Sequence, residues 1–268
     1  MENREKISVV VTGAVGKMGR EVVKAISRES DLSLVGAIDH EATGDDAGVV
    51  AGIGTIGVAI SNSLEEVLKQ RKPRVLVDFT RHQSALKNIE ASVKNKVSCV
   101  IGTTGFTESD LANIRSWSEQ NQTPVFIAPN FAIGAVLLMK FAEEASKYFS
   151  WSEIIELHHD KKIDAPSGTA IRTAELMLKN RSSFEKTEKE EEKISGVRGG
   201  SMQGIRLHSV RLPGLVAHEE VLFGGLGQLL TIRHDSLSRE SFMPGVILAI
   251  RRVLKSKGLT IGLEHFMS

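Results

Sequence analysis

The chain has 268 residues, of which 41% are hydrophobic and 25% charged, with 24 Gly and 6 Pro, values that exclude a disordered or fibrous protein. At about 150 residues per domain this length predicts two domains. A net charge of +1 leaves no bulk basic excess for nucleic acid, and the single cysteine, Cys99, excludes an intrachain disulfide or a cysteine-based zinc site. Residues 1–6 are charged, and the apolar run that follows is too short for a secretory leader. No stretch approaches eighteen apolar residues, so no membrane span is expected and a cytoplasmic location is.

Ile7 to Thr12 is a β-branched run ending at Gly13, and Lys17 to Ser27 then carries Met18, Val22, Val23 and Ile26 at helical spacing. This predicts strand, glycine-rich turn and helix. A second strand, Leu34 to Asp39, precedes a stretch without a clear period, Gly44 to Gly57, expected to be loop. Three further pairs follow: strand Val75 to Phe79 with helix Gln83 to Lys94, strand Ser98 to Thr103 with helix Glu108 to Gln120, and strand Pro124 to Ala128 with helix Ile133 to Phe149. Apolar strands alternating with amphipathic helices predict a doubly wound parallel sheet, an α/β domain.

The pattern then changes to strand Ile154 to His158, helix Thr169 to Lys179 and three strand-like runs, Ile205 to Leu212, Leu215 to Phe223 and Leu229 to His234. Short turns join those runs, which are expected to be antiparallel neighbours in a second, α+β domain. Helix Glu240 to Lys255 is expected to pack back on the first sheet, and the charged run Glu185 to Lys193 to be a solvated loop. Residues 1–130, completed by 240–268, therefore form the expected dinucleotide domain, and 131–239 the second domain.

Gly13, Ala14, Val15, Gly16, Lys17, Met18 and Gly19 lie between strand and helix, where bare backbone and a helix N-terminus favour a pyrophosphate. The GxxGxxG spacing departs from the common GxGxxG and also suits a plain tight turn. Asp39, at the end of the second strand, is placed to accept hydrogen bonds from an adenosine ribose. Gly102, Thr103 and Thr104, with Ala128, Pro129, Asn130 and Phe131, follow strand C-termini on the same sheet edge, the ligand edge of such sheets. The hydroxyls of the first group suit a nicotinamide carboxamide or ribose.

The segment Glu153 to Ala170, EIIELHHDKKIDAPSGTA, joins two histidines and two lysines to a helix start with Ser167 as N-cap. Cations beside a helix N-terminus make a site for carboxylates. His158 and His159 alternate faces in regular strand, so both enter one pocket only if the strand ends there. A metal reading of His158, His159 and Asp160 is weaker, since adjacent residues seldom share an ion, and no metal is expected.

With these residues in view, the chain resembles the 4-hydroxy-tetrahydrodipicolinate (dihydrodipicolinate) reductase family over essentially its whole length. The resemblance rests on VTGAVGKMGR (11–20), VDFTRHQSAL (77–86), VIGTTGF (100–106), APNFAIG (128–134) and above all ELHHDKKIDAPSGTA (156–170). It implies NADH or NADPH on a Rossmann-type domain, a small cyclic dicarboxylate on the second, a hinge, and a homotetramer. It further implies His158 as acid/base, Lys162 as catalytic donor, and His159, Gly168 and Thr169 as substrate contacts. Cofactor contacts fall on residues 13–18, Asp39, 102–104 and 128–131. Where some members carry a basic residue after the ribose acid, this chain has His40, which leaves NADH and NADPH both open. An aspartate or homoserine dehydrogenase would share the first domain but not the 156–170 motif, and a redox sensor would have no use for it.

Overall fold

The computed structural model describes residues 5–187 and 189–267. The chain divides into two units, one running to Phe131 and resuming at Phe242, the other Ala132–Ser241.

In the first unit, β1 (Ile7–Thr12), β2 (Leu32–Ile38), β3 (Ile60–Ser61), β4 (Val75–Asp78), β5 (Ser98–Ile101), β6 (Val125–Ile127) and β12 (Leu259–Ile261) form one parallel sheet in the order β3-β2-β1-β4-β5-β6-β12. Chain order reverses between β1 and β4, the switch point at which α/β sheets of this order take a dinucleotide. Val9, Val10, Val11, Val75, Leu76 and Val77 are wholly buried, because helices cover both faces of the sheet. These helices are α1 (Lys17–Arg28), α2 (Ala47–Ala51), α3 (Leu64–Arg71), α4 (His82–Lys94), α5 (Glu108–Gln120) and α8 (Met243–Val253). The last buries Val246, Ile247, Ala249, Ile250 and Val253 and packs on β5, β6 and α1, as its periodicity anticipates. It starts three residues later than expected, after a 3-10 turn at Arg239–Phe242, with Pro244 in its first turn. Arg251, on its outer side, joins Glu29 and Asp31 at the end of α1.

The expected loop Gly44 to Gly57 is corrected: it contains α2, which Asp46 caps by accepting from the N–H groups of Gly48 and Val49, and the same carboxylate gathers the N–H groups of Ile56 and Gly57. Strand β3 and helix α3 follow it and carry no counterpart in the sequence reading. Five residues are too few for periodicity to show, whereas the Ser63 N-cap of α3 was a readable signal.

In the second unit, α6 (Ile133–Ala145) and α7 (Gly168–Leu178) pack on each other and on one face of a mixed sheet. Its strands are β7 (Trp151–His158), β8 (Gly200–Met202), β9 (Ile205–Arg211), β10 (Ala217–Gly225) and β11 (Gln228–Ser236), in the order β11-β10-β7-β9-β8. Only the last two of the three strands expected to be successive neighbours pair with each other. Strand β7 lies between β9 and β10, parallel to the first and antiparallel to the second. The link of residues 212–216 must therefore cross two strand spacings, about 9.6 Å. It passes the end of β7, where the Leu212 N–H donates to the His158 carbonyl. The described part of the charged run 185–193 holds no helix or strand, but Glu190 is ion-paired with Arg206 and Arg198 rather than simply solvated.

Candidate active site

The β1–α1 turn of the first unit has the form that a pyrophosphate requires. Gly13 sits at φ +75°, and a Cβ there would lie 2.7 Å from the Phe79 carbonyl oxygen; a Cβ on Gly19 would meet the Gly13 oxygen at 2.0 Å. Gly19 thus lets the helix close on the turn, and Gly13 lets the turn close on the chain that follows β4. Gly16 is the N-cap of α1 in an extended conformation, with no side-chain cap and no acidic residue in the first turn. The positive end of this 12-residue helix is thus left for an anion. The Asp39 carboxylate accepts from the Val15 N–H at 2.9 Å and from the Glu41 N–H at 3.2 Å, which fixes it against the turn. Gly16, Lys17 and His40 are exposed, Met18 and Asp39 half-buried, and Ala14 is buried.

A carboxylate for which sequence reasoning had no role organises the neighbouring loops. Asp78, at the end of β4, is fully buried and accepts from the hydroxyls of Thr12, Thr80 and Thr103, from the Thr80 N–H and from the Asn88 amide, at 2.7–3.1 Å. It ties the ends of β1, β4 and β5 to α4. The Thr103 hydroxyl is turned inward to Asp78 and the residue is only 6% exposed, whereas Thr104 is exposed. Ala128 and Phe131 are likewise buried, the latter's ring 5.8 Å from that of Phe79 and 6.0 Å from that of Phe126. Pro129 is exposed and Asn130 half-buried.

In the second unit the motif gathers round another buried carboxylate. Strand β7 ends at His158, the condition under which His158 and His159 need not keep to opposite faces. Glu156, two residues earlier on the same face, is fully buried and lies 2.5 Å from His158 Nδ1. Arg211 of β9 grips it with both terminal nitrogens at 2.9 and 2.7 Å, and the Ser167 N–H donates to it at 3.2 Å. Burial alone would push its acidity toward the neutral form, but the bonds from His158, Arg211 and Ser209 prevail and hold Glu156 down to about 2. An ionised acceptor requires the proton on Nδ1, which leaves His158 Nε2 as the ring nitrogen for exchange.

The loop after β7 is strapped to the same group. Arg211 donates to the Asp164 carbonyl at 2.7 Å, and Lys162 Nζ pairs with the Asp164 carboxylate at 2.8 and 2.7 Å. Ser167 caps α7, its hydroxyl accepting from the Ala170 N–H, as its sequence position anticipates. Gly168 and Thr169 form the first turn, whose N–H groups no α-helix can pair internally. The structure brings His158, Glu156, Arg211, Ser167 and the start of α7 together and sets Lys162 on Asp164. His159 is half-buried. Sequence reasoning missed Glu156, Arg211 and Asp78. A charged residue on the inward register of an otherwise apolar strand was the available signal for the first and third, whereas Arg211 declares itself only through the pairing of β9 with β7. Among the described residues no group of three or more His, Cys, Asp or Glu is placed to hold a metal ion.

Comparison with known proteins agrees with this geometry. Residues 7–131 match the family model for the dihydrodipicolinate reductase N-terminus, and residues 134–267 that for its C-terminus. The 4-hydroxy-tetrahydrodipicolinate reductase of Desulfitobacterium hafniense (strain DSM 10664 / DCB-2) is 52% identical over 265 residues, covering 98% of this chain and 99% of the relative. That of Syntrophomonas wolfei is 50% identical over 265 residues, covering 98% and 100%. A solved dipicolinate-bound dihydrodipicolinate reductase from Paenisporosarcina sp. TG-14 superposes with a TM-score of 0.86 at 44% identity, covering 97% of this chain and 99% of that one. With both halves matched and the motif residues gathered in each unit, the chain belongs to the dihydrodipicolinate reductase family.

Proposed function

We propose that the chain reduces 4-hydroxy-tetrahydrodipicolinate to tetrahydrodipicolinate with NADH or NADPH, in the diaminopimelate route to lysine. The nicotinamide cofactor supplies a hydride. The open N-terminus of α1 and the bare Gly13–Gly16 turn take its pyrophosphate, Asp39 its adenosine ribose, and Thr104, Pro129 and Asn130 its nicotinamide end. Thr103, Ala128 and Phe131 support that end from beneath, through backbone and packing.

The dicarboxylate falls to the second unit. One carboxylate sits at the Gly168–Thr169 turn, where helix N–H groups favour an anion, and His159 assists in holding the substrate. Lys162 exchanges its Asp164 partner for the substrate and stabilises charge on it. The 4-hydroxyl leaves as water to give a conjugated ring imine, and His158, its Nδ1–H engaged by Glu156, carries the transferable proton on Nε2 and delivers it as hydride adds to that ring. The observation that carries this assignment is the Glu156–His158 pair at the end of β7, because a buried carboxylate on Nδ1 fixes both the orientation of the ring and the nitrogen left for proton exchange. We further assign a homotetramer formed through the sheet face opposite α6 and α7, supported by Trp151 and Leu229, which are 41% and 69% exposed there on either side of Gly224. Among the described residues no helix is long and apolar enough to cross a membrane, and we place the enzyme in the cytoplasm.

Steady-state assay of the substrate with each cofactor tests the reading. Turnover is expected with both; His158→Gln lowers kcat about a hundredfold or more with cofactor affinity unchanged, and Lys162→Met lowers kcat/KM by roughly two to four orders of magnitude. No turnover with either cofactor, or wild-type kcat in the histidine variant at every pH, overturns it.

A further inference from the structure

Beneath the first turn of α7 lies a second buried carboxylate that none of the roles above employs. Glu219 of β10 is 5% exposed and stands directly opposite Glu156 in the strand register, on the same face of the sheet. The Thr173 hydroxyl lies 2.5 Å from Glu219 Oε1 and 3.0 Å from the carbonyl oxygen of Thr169. A hydroxyl has a single proton to donate. If Glu219 were ionised, that proton would serve one of these two oxygens and leave the other contact without a hydrogen. With a proton on Glu219, both are satisfied in sequence: the acid donates to Thr173, and Thr173 donates to Thr169.

The surroundings favour the same protonation state. Glu156, the facing group on β7, is already ionised, and its cation, Arg211, is committed to it. On the other side His234 of β11 stands opposite Glu219, and burial holds its imidazole below the ordinary value, so it brings no balancing charge. From α7 the facing group is the uncharged Thr173, and α6 sets Gly134 against His234. Burial foremost, with the negative charge of Glu156 adding to it, pushes Glu219 up to about 7 against the opposing bond from Thr173.

We propose that Glu219 is a positioning residue, a neutral acid that holds the first turn of α7 through the chain Glu219 to Thr173 to the Thr169 carbonyl and thereby sets the substrate-carboxylate site. The proposal rests on the reading that the Gly168–Thr169 turn binds a carboxylate. As pH rises through about 7, Glu219 ionises, draws the Thr173 proton to itself, releases the Thr169 carbonyl and adds a negative charge behind the site. Dicarboxylate affinity then falls, while the protonation chemistry at His158 does not depend on this chain.

Two measurements decide it. Infrared difference spectra of wild type against Glu219→Gln at pH 6 are expected to show a protonated-carboxyl C=O band that disappears above pH 8. Calorimetric Kd for pyridine-2,6-dicarboxylate is expected to rise about three- to tenfold more between pH 6 and 9 in wild type than in Glu219→Gln, whose amide donates to Thr173 at every pH. Thr173→Val should weaken the same ligand about three- to tenfold already at pH 6. Absence of the band overturns the neutral acid. A band accompanied by identical pH profiles in wild type and Glu219→Gln overturns the coupling to the site. Failure of the underlying reading is seen separately, as dicarboxylate affinity that Thr169→Ala and Thr173→Val both leave unchanged while the band remains.

Discussion

Replacing Glu156 by Gln keeps volume and one acceptor oxygen but removes the charge that faces both His158 and Arg211. The carboxylate accepts from His158 Nδ1 at 2.5 Å and from both terminal nitrogens of Arg211, whereas an amide must turn its NH2 group toward one of these donors. In the variant Arg211 is left without its counter-ion, and His158 loses the charged acceptor that fixes its ring. Because the ring that delivers the proton is no longer held in one orientation, kcat is expected to fall about a hundredfold. Stability changes too. The native Glu156 is depressed from 4.5 to about 2, so its contribution is present above pH 4.5 and is lost as pH falls from there toward 2. The variant lacks that acid slope, and at pH 7 it is less stable by about 3 kcal/mol, the low end for a broken buried pair because the Arg211 side chain keeps 19% exposure. Kinetic pH profiles and urea midpoints at pH 3, 5 and 7 measure both effects. An undiminished kcat refutes the assignment of Glu156 as the partner that orients His158, and an undiminished urea midpoint at pH 7 refutes the buried pair.

Asp39→Ala is expected to weaken NADH more than NADPH in calorimetry, because the carboxylate that binds a ribose diol repels a 2′-phosphate; equal losses place Asp39 away from the ribose. Asp78→Asn sets an amide N–H against donors already pointing at Oδ1 and Oδ2, and should cost about 2–4 kcal/mol, lowering Tm by roughly 5–10 °C and weakening NADH about tenfold through the Thr103 loop. An unchanged Tm would mean that the network is not held by the carboxylate.

The candidate site was readable in the sequence as two separate halves, and the reason is local chemistry. A glycine turn between a β-branched run and an amphipathic helix, or a capped helix start after two histidines, is defined by residues a few positions apart, and the chain carries that information in order. Position 39 could be assigned for the same reason, since in a βαβ unit the end of the second strand lies beside the first turn whatever the intervening sequence. The motif also declared its family outright, because ELHHDKKIDAPSGTA packs cation, cap and turn into one string.

What chain order could not express was which side chains face one another across strands. Two hairpin-like turns around Pro213 and Gly227 look alike in sequence, yet one joins neighbours and the other steps over β7, because the polar row Ser209, Glu156, Glu219 and His234 is assembled by strand register alone. The same holds for direction. Thr103 and Phe131 lie in loops that read as ligand contacts, and burial turns one hydroxyl to Asp78 and one ring to Phe79 and Phe126. Hydrogen-bond satisfaction in a low-dielectric interior is a property of all groups that converge on a point, so Asp78, Glu156 and Arg211 acquire their partners only when β1, β4, β5, β7, β9 and the start of α7 are folded together. Local residue types set the elements and the chemistry available to each; tertiary packing decided which carboxylates are ionised, which hydroxyls turn inward, and which histidine has its Nδ1 engaged by a buried carboxylate.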